Sequence, residues 1–77
     1  MPEQGGVVFL RLKSVLAITG MSRALVYELM AKKADDPARF PRPYKLSERA
    51  VAWKEQEVRD WMVARPRAND ESFREAS

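Results

Sequence analysis

From Leu10 onward the apolar positions first recur at three and four residues, then alternate, then return to three and four. Leu12, Val15, Leu16 and Ile18 form the first stripe and predict a helix over 13–19. Gly20 stops it, because glycine takes the left-handed conformation at no steric cost. Only Met21 separates that glycine from Ser22, a favoured N-cap, so a second helix is expected from Arg23 to Lys33. On a wheel of about 100° per residue, Leu25, Val26, Leu29 and Met30 fall on one side and are expected in the core. Arg23, Ala24, Tyr27, Glu28 and Ala31 fall on the other. Two helices joined by a short glycine turn have the geometry of a helix-turn-helix.

Asp35, Asp36 and Pro37 close the second helix, and Pro41 and Pro43 hold the chain extended around Arg42. The segments 44–46 and 50–53 then alternate in strand fashion, with Leu46, Val51 and Trp53 as expected apolar anchors around a polar tip of Ser47, Glu48 and Arg49. A third helix is expected from Lys54 or Glu55 to Arg65, ended by Pro66 and bracketed by Trp53 and Trp61. Val58, Trp61 and Met62 would line its inner face. Residues 7–10 are apolar and read as a strand or an extended lead-in. The predicted fold class is mainly α with a small two-stranded β-hairpin. Residues 1–8 read as a flexible lead, 9–65 as the domain, and 66–77, with Phe73 as their one large apolar group, as a flexible tail.

Composition narrows the function. The 77 residues contain no cysteine and no histidine, so no disulfide or ordinary zinc site can staple the fold. The commonest general base and the thiol nucleophile are also missing, and Glu55, Glu57 and Asp60 cluster without a base or a metal partner. The chain is expected not to be an enzyme and to need no cofactor, metal or small-molecule substrate. Nothing approaches the roughly 18 apolar residues of a membrane span, so no membrane partner is expected.

The net charge of +3 is unevenly spread. Residues 10–65 carry +5, and residues 39–49 alone carry +3 from Arg39, Arg42, Lys45 and Arg49 against Glu48. A basic middle between near-neutral ends suits a polyanion. A short helix presenting Arg23 and Tyr27, followed by a basic hairpin, suits duplex DNA in particular. A helix fits the major groove and arginine can contact guanine through two hydrogen bonds. Ser22, Arg23, Tyr27, Arg42, Lys45, Ser47 and Arg49 are therefore the candidate DNA contacts. Each also has an ordinary role open to it: Ser22 as a helix cap, Arg23 as a partner of Glu28, Tyr27 against the core edge, and the rest as solvated surface.

The stretch 10–15, the run from Thr19 to Arg23 with Tyr27, the segment 40–46, and 49–53 with Glu57, Val58 and Trp61 together resemble AlpA-type prophage regulators. The resemblance covers about residues 9–65. It implies a small winged helix-turn-helix similar to MerR-type domains and phage excisionases, acting in the bacterial cytoplasm at the nucleoid. It places Ser22, Arg23 and Tyr27 on a recognition helix and residues 45–49 in the wing. It further implies a regulator of transcription or a directionality factor for recombination. The partners would be double-stranded DNA and, beyond it, an integrase or further copies of the same chain. Two departures stand out: Ser47-Glu48 where the family's wing tip is often glycine-rich, and a longer linker over 34–39. A competing reading is a protein-interaction adaptor on the same fold, as in small phage packaging subunits, with the C-terminal tail as its docking segment.

Overall fold

The computed structural model describes residues 6–68. The expectations for a flexible lead before residue 6, for Phe73, and for the tail beyond residue 68 lie outside the described residues. The elements run β1 (Phe9–Leu10), α1 (Leu12–Thr19), α2 (Arg23–Met30), β2 (Tyr44–Lys45), β3 (Val51–Lys54) and α3 (Glu55–Val63).

The turn between α1 and α2 follows from its sequence. Gly20 adopts φ 75°, and its N–H donates to the Leu16 carbonyl. The Thr19 hydroxyl donates back to the Val15 carbonyl at 2.8 Å, and the Met21 N–H donates to that hydroxyl oxygen at 3.2 Å. The Ser22 side chain then accepts from the Leu25 N–H at 3.1 Å, capping α2. One left-handed residue thus reverses the chain, and two hydroxyls occupy backbone groups that the helix ends leave open.

Helix α2 stops three residues short of the expected Lys33. The Lys32 N–H donates to the Leu29 carbonyl at 3.3 Å, which tightens the last turn, and the Phe40 N–H donates to the same carbonyl at 3.2 Å. An oxygen that Lys33 would take in a continuing helix is shared instead with a residue eleven positions on. The loop between is shaped by Asp36, whose carboxylate accepts from the Ala38 N–H at 2.8 Å.

The sheet has three strands, not the two expected, in the order β1-β3-β2, all antiparallel. Phe9 pairs with Lys54 and Leu10 with Trp53 on one side of β3. Tyr44 pairs with Ala52 and Lys45 with Val51 on the other. The Glu55 N–H donates to the Val8 carbonyl at 2.8 Å, so the apolar lead-in also ties down the start of α3. Without β1, one side of β3 would present unpaired backbone groups.

The core is Val15, Val26, Met30, Phe40, Trp53 and Val58. Phe40 is completely buried, although its position between a loop and two prolines offers no periodic signal. Trp61 packs at the margin, edge-on to Phe40 with ring centroids 4.9 Å apart. Three expectations about burial fail. Leu25 is 38% exposed, because it lies about 100° around the helix from Val26 and the packed arc is narrower than the apolar stripe. Leu46 and Val51 are 46% and 43% exposed, in a hairpin whose short β2 is exposed at both of its residues. Helix α3 also ends at Val63 instead of Arg65. Arg65 turns back: its Nε donates to the Trp61 carbonyl at 3.1 Å and one terminal nitrogen donates to the Pro37 carbonyl at 2.6 Å. Its guanidinium lies 4.4 Å from the centre of the Trp61 ring.

Candidate nucleic-acid interface

All seven candidate contact residues are exposed. Ser22 opens α2 as its cap, with the backbone amides of the first turn beside it. Arg23 and Tyr27 are exposed on α2, together with Ala24, Glu28 and Ala31, while Val26 and Met30 on the same helix are buried. The separation of the two faces predicted from spacing is therefore present for these five residues.

The hairpin supplies the second set. Lys45 is the last residue of β2, and Ser47 to Arg49 form the bend at the tip. The tip is closed by the Leu46 N–H donating to the Ala50 carbonyl at 2.7 Å and the Ser47 N–H donating to the same oxygen at 3.2 Å. Leu46 and Val51 leave apolar surface exposed on the same hairpin, which the anchor reading of the sequence missed. The signal available was the shortness of the strands: a two-residue β2 cannot bury a face.

Arg42 does not sit with the tip. It lines a cleft of about 220 Å³ with Tyr27, Met30 and Ala31. Two candidates from different parts of the chain thus meet, while Ser47 and Arg49 are held by the hairpin alone. Met30 and Ala31 were read only as core and outer face, and their place in the cleft depends on how the proline segment folds back on α2.

The charges divide clearly between regions. Among the described residues, Arg23, Arg42, Lys45 and Arg49 form no ion pair. The carboxylates of α3 are engaged locally: Glu55 pairs with Arg59 at 2.7 Å, Glu57 accepts from the Tyr44 hydroxyl at 2.7 Å, and Asp60 accepts from Gln56 at 2.8 Å. The cluster of acids that a sequence reader would test for catalysis is a set of helix and sheet fasteners. Among the described residues no group of three His, Cys, Asp or Glu side chains could hold a metal ion. No helix there is long and apolar enough to cross a membrane.

Two helices joined by a glycine turn, a small antiparallel sheet, and cations without an ion partner among the described residues fit a small helix-turn-helix protein with a wing. The comparisons with known proteins assign the particular family. The family described as "Prophage CP4-57 regulatory protein (AlpA)" matches residues 8–66. The chain is 35% identical over 66 residues to the "DNA-binding transcriptional activator AlpA" of Escherichia coli, covering 84% of this chain and 94% of that relative. It is 39% identical over 57 residues to "Uncharacterized protein ORF88" of Enterobacteria phage P4, covering 74% of this chain and 59% of that one. No solved structure matches. The chain belongs to the AlpA family of prophage regulatory proteins, which places it among regulators and not among enzymes.

Proposed function

We propose that this protein binds double-stranded DNA sequence-specifically as a winged helix-turn-helix regulator of prophage or genomic-island genes. Residues 9–65 form the binding unit. Helix α2 enters the major groove, with Arg23 reading base edges and Ser22 and Tyr27 on the backbone. Lys45, Ser47 and Arg49 contact the neighbouring backbone or minor groove from the hairpin, and Arg42 contacts the backbone between the two. The observation that carries this reading is the outer face of α2: its residues are exposed, it mixes long polar groups with alanines, and Arg23 and nearby Arg42 form no ion pair among the described residues. Alanines let a helix backbone approach another surface closely, and the free cations suit a polyanion. The name of the Escherichia coli relative supports the same partner.

One copy can read only a few base pairs, so useful specificity comes from several copies on adjacent sites. Action as an excisionase, with an integrase as second partner, is the finer form of this reading. Both place the protein in the bacterial cytoplasm at the nucleoid.

The test is fluorescence anisotropy of labelled duplexes at several salt concentrations. With about four to six phosphate contacts, log K falls against log salt with a slope of roughly −4 to −5. Arg23→Ala weakens binding about tenfold and relaxes the preference between sites, as loss of a base contact should. No binding at low salt by the wild-type chain sinks the proposal.

A further inference from the structure

The cleft between α2 and the proline segment is shallow and open, but the backbone on both of its sides is held by the core. Its far wall is Arg42, held between Pro41 and Pro43, whose rings fix φ on both sides. That segment is pinned to the body of the protein from two directions. The Trp53 indole N–H donates to the Pro41 carbonyl at 2.9 Å, and the Phe40 N–H donates to the Leu29 carbonyl in the last turn of α2. Phe40 and Trp53 are themselves buried. The backbone position of Arg42 relative to α2 is thus set by the core, while its exposed side chain stays available to a ligand.

The chemistry of the walls is divided. Tyr27, 48% exposed, brings a hydroxyl that has no hydrogen-bond partner among the described residues. Arg42 brings a guanidinium in the same state. Met30 and Ala31 give an apolar floor, and no carboxylate lines the cleft. The floor is also the C-terminal end of α2, where the helix dipole is negative and disfavours an anion. A bare anion therefore gains there only through Arg42. A ligand that is anionic on one side and apolar on the other fits all four residues.

We propose that this cleft seats one phosphodiester unit of the bound duplex. The phosphate lies between the Arg42 guanidinium and the Tyr27 hydroxyl, and the deoxyribose lies on Met30 and Ala31. The proposal rests on the DNA-binding reading and adds to it a single clamp point that sets the register of α2 in the groove. It carries no sequence information of its own, because its ligand is common to every nucleotide.

The experiment uses a duplex selected with the wild-type full chain, prepared as a series with one methylphosphonate at each backbone position. Several positions lose affinity when neutralised, one for each phosphate contact, and the position at the clamp loses about tenfold, as expected for a charge-assisted contact. In Arg42→Ala the same substitution has little further effect, and the salt slope becomes shallower by about 0.9. Tyr27→Phe gives a smaller loss at the same position. The ranking of different duplex sequences stays unchanged in both variants, and thermal unfolding checks that both are folded. The proposal is overturned if the wild type binds but its sensitive phosphates remain equally sensitive in Arg42→Ala, or if that variant reorders the preferred sequences. Absence of wild-type binding to any duplex is a different result, and it overturns the DNA reading as well as the clamp.

Discussion

Two loops of this protein carry arginines, and they are held in opposite ways. The segment 37–43 receives hydrogen bonds from three side chains: Arg65 to the Pro37 carbonyl, Trp61 to the Ala38 carbonyl and Trp53 to the Pro41 carbonyl. It buries Phe40 completely and returns the Phe40 N–H to α2. Among the described residues the hairpin tip, 46–50, is closed by bonds within itself, between Leu46, Ser47 and Ala50. Its side chains are exposed except for the half-buried Ala50. The difference separates two tasks. The pinned loop sets the position of Arg42 relative to α2, so changes there act through stability. The tip can adapt to a surface, so changes there act through binding.

The strongest way to break this contrast is Trp53→Ala. It removes the largest buried side chain and the bond to Pro41, and the expected loss is about 3–5 kcal/mol. Small domains have about 5–15 kcal/mol in all, so urea unfolding followed by circular dichroism should show a large shift of midpoint. A midpoint near wild type would mean that the pinned loop is not a structural keystone.

Arg49→Ala addresses the other loop. DNA affinity falls about tenfold, with a shallower salt slope, as for loss of one phosphate contact. The unfolding midpoint stays where it was, since Arg49 makes no ion pair among the described residues. A drop in stability without a change in binding would reverse the assignment of tasks.

Trp61→Phe sharpens the pinned side. The ring against Phe40 remains, but the N–H to Ala38 is lost, and a stability cost of about 1 kcal/mol follows. Glu48→Gln is the smallest effect. It removes the one acid at the tip, and DNA binding tightens about twofold to threefold at low salt, fading as salt screens the surface.

The exposure of the seven candidate residues was legible because the signals for it are local. Gly20 and Ser22 mark the turn by their own conformational and capping preferences, and the two faces of α2 follow from a period of 3.6. The cleft was not legible. Tyr27 and Arg42 are 15 positions apart, and nothing in the spacing says that the chain returns to the helix it left. Phe40 was hidden for the same reason: an aromatic residue in a proline-rich loop looks the same whether it faces water or fills a core.

Local order, then, belongs to the sequence alone: three helices, a glycine turn, a hairpin, a basic middle and the absence of cysteine and histidine. Those properties depend on neighbours within four residues or on composition. Tertiary structure decided the rest: that residues 9–10 complete a third strand, that α2 ends at Met30, that Leu25, Leu46 and Val51 stay exposed, and that Arg42 meets Tyr27. Each of these turns on a backbone group or side chain finding a partner far along the chain. Such pairings are selected by the packing of the whole core around Phe40 and Trp53, which no short window of residues contains.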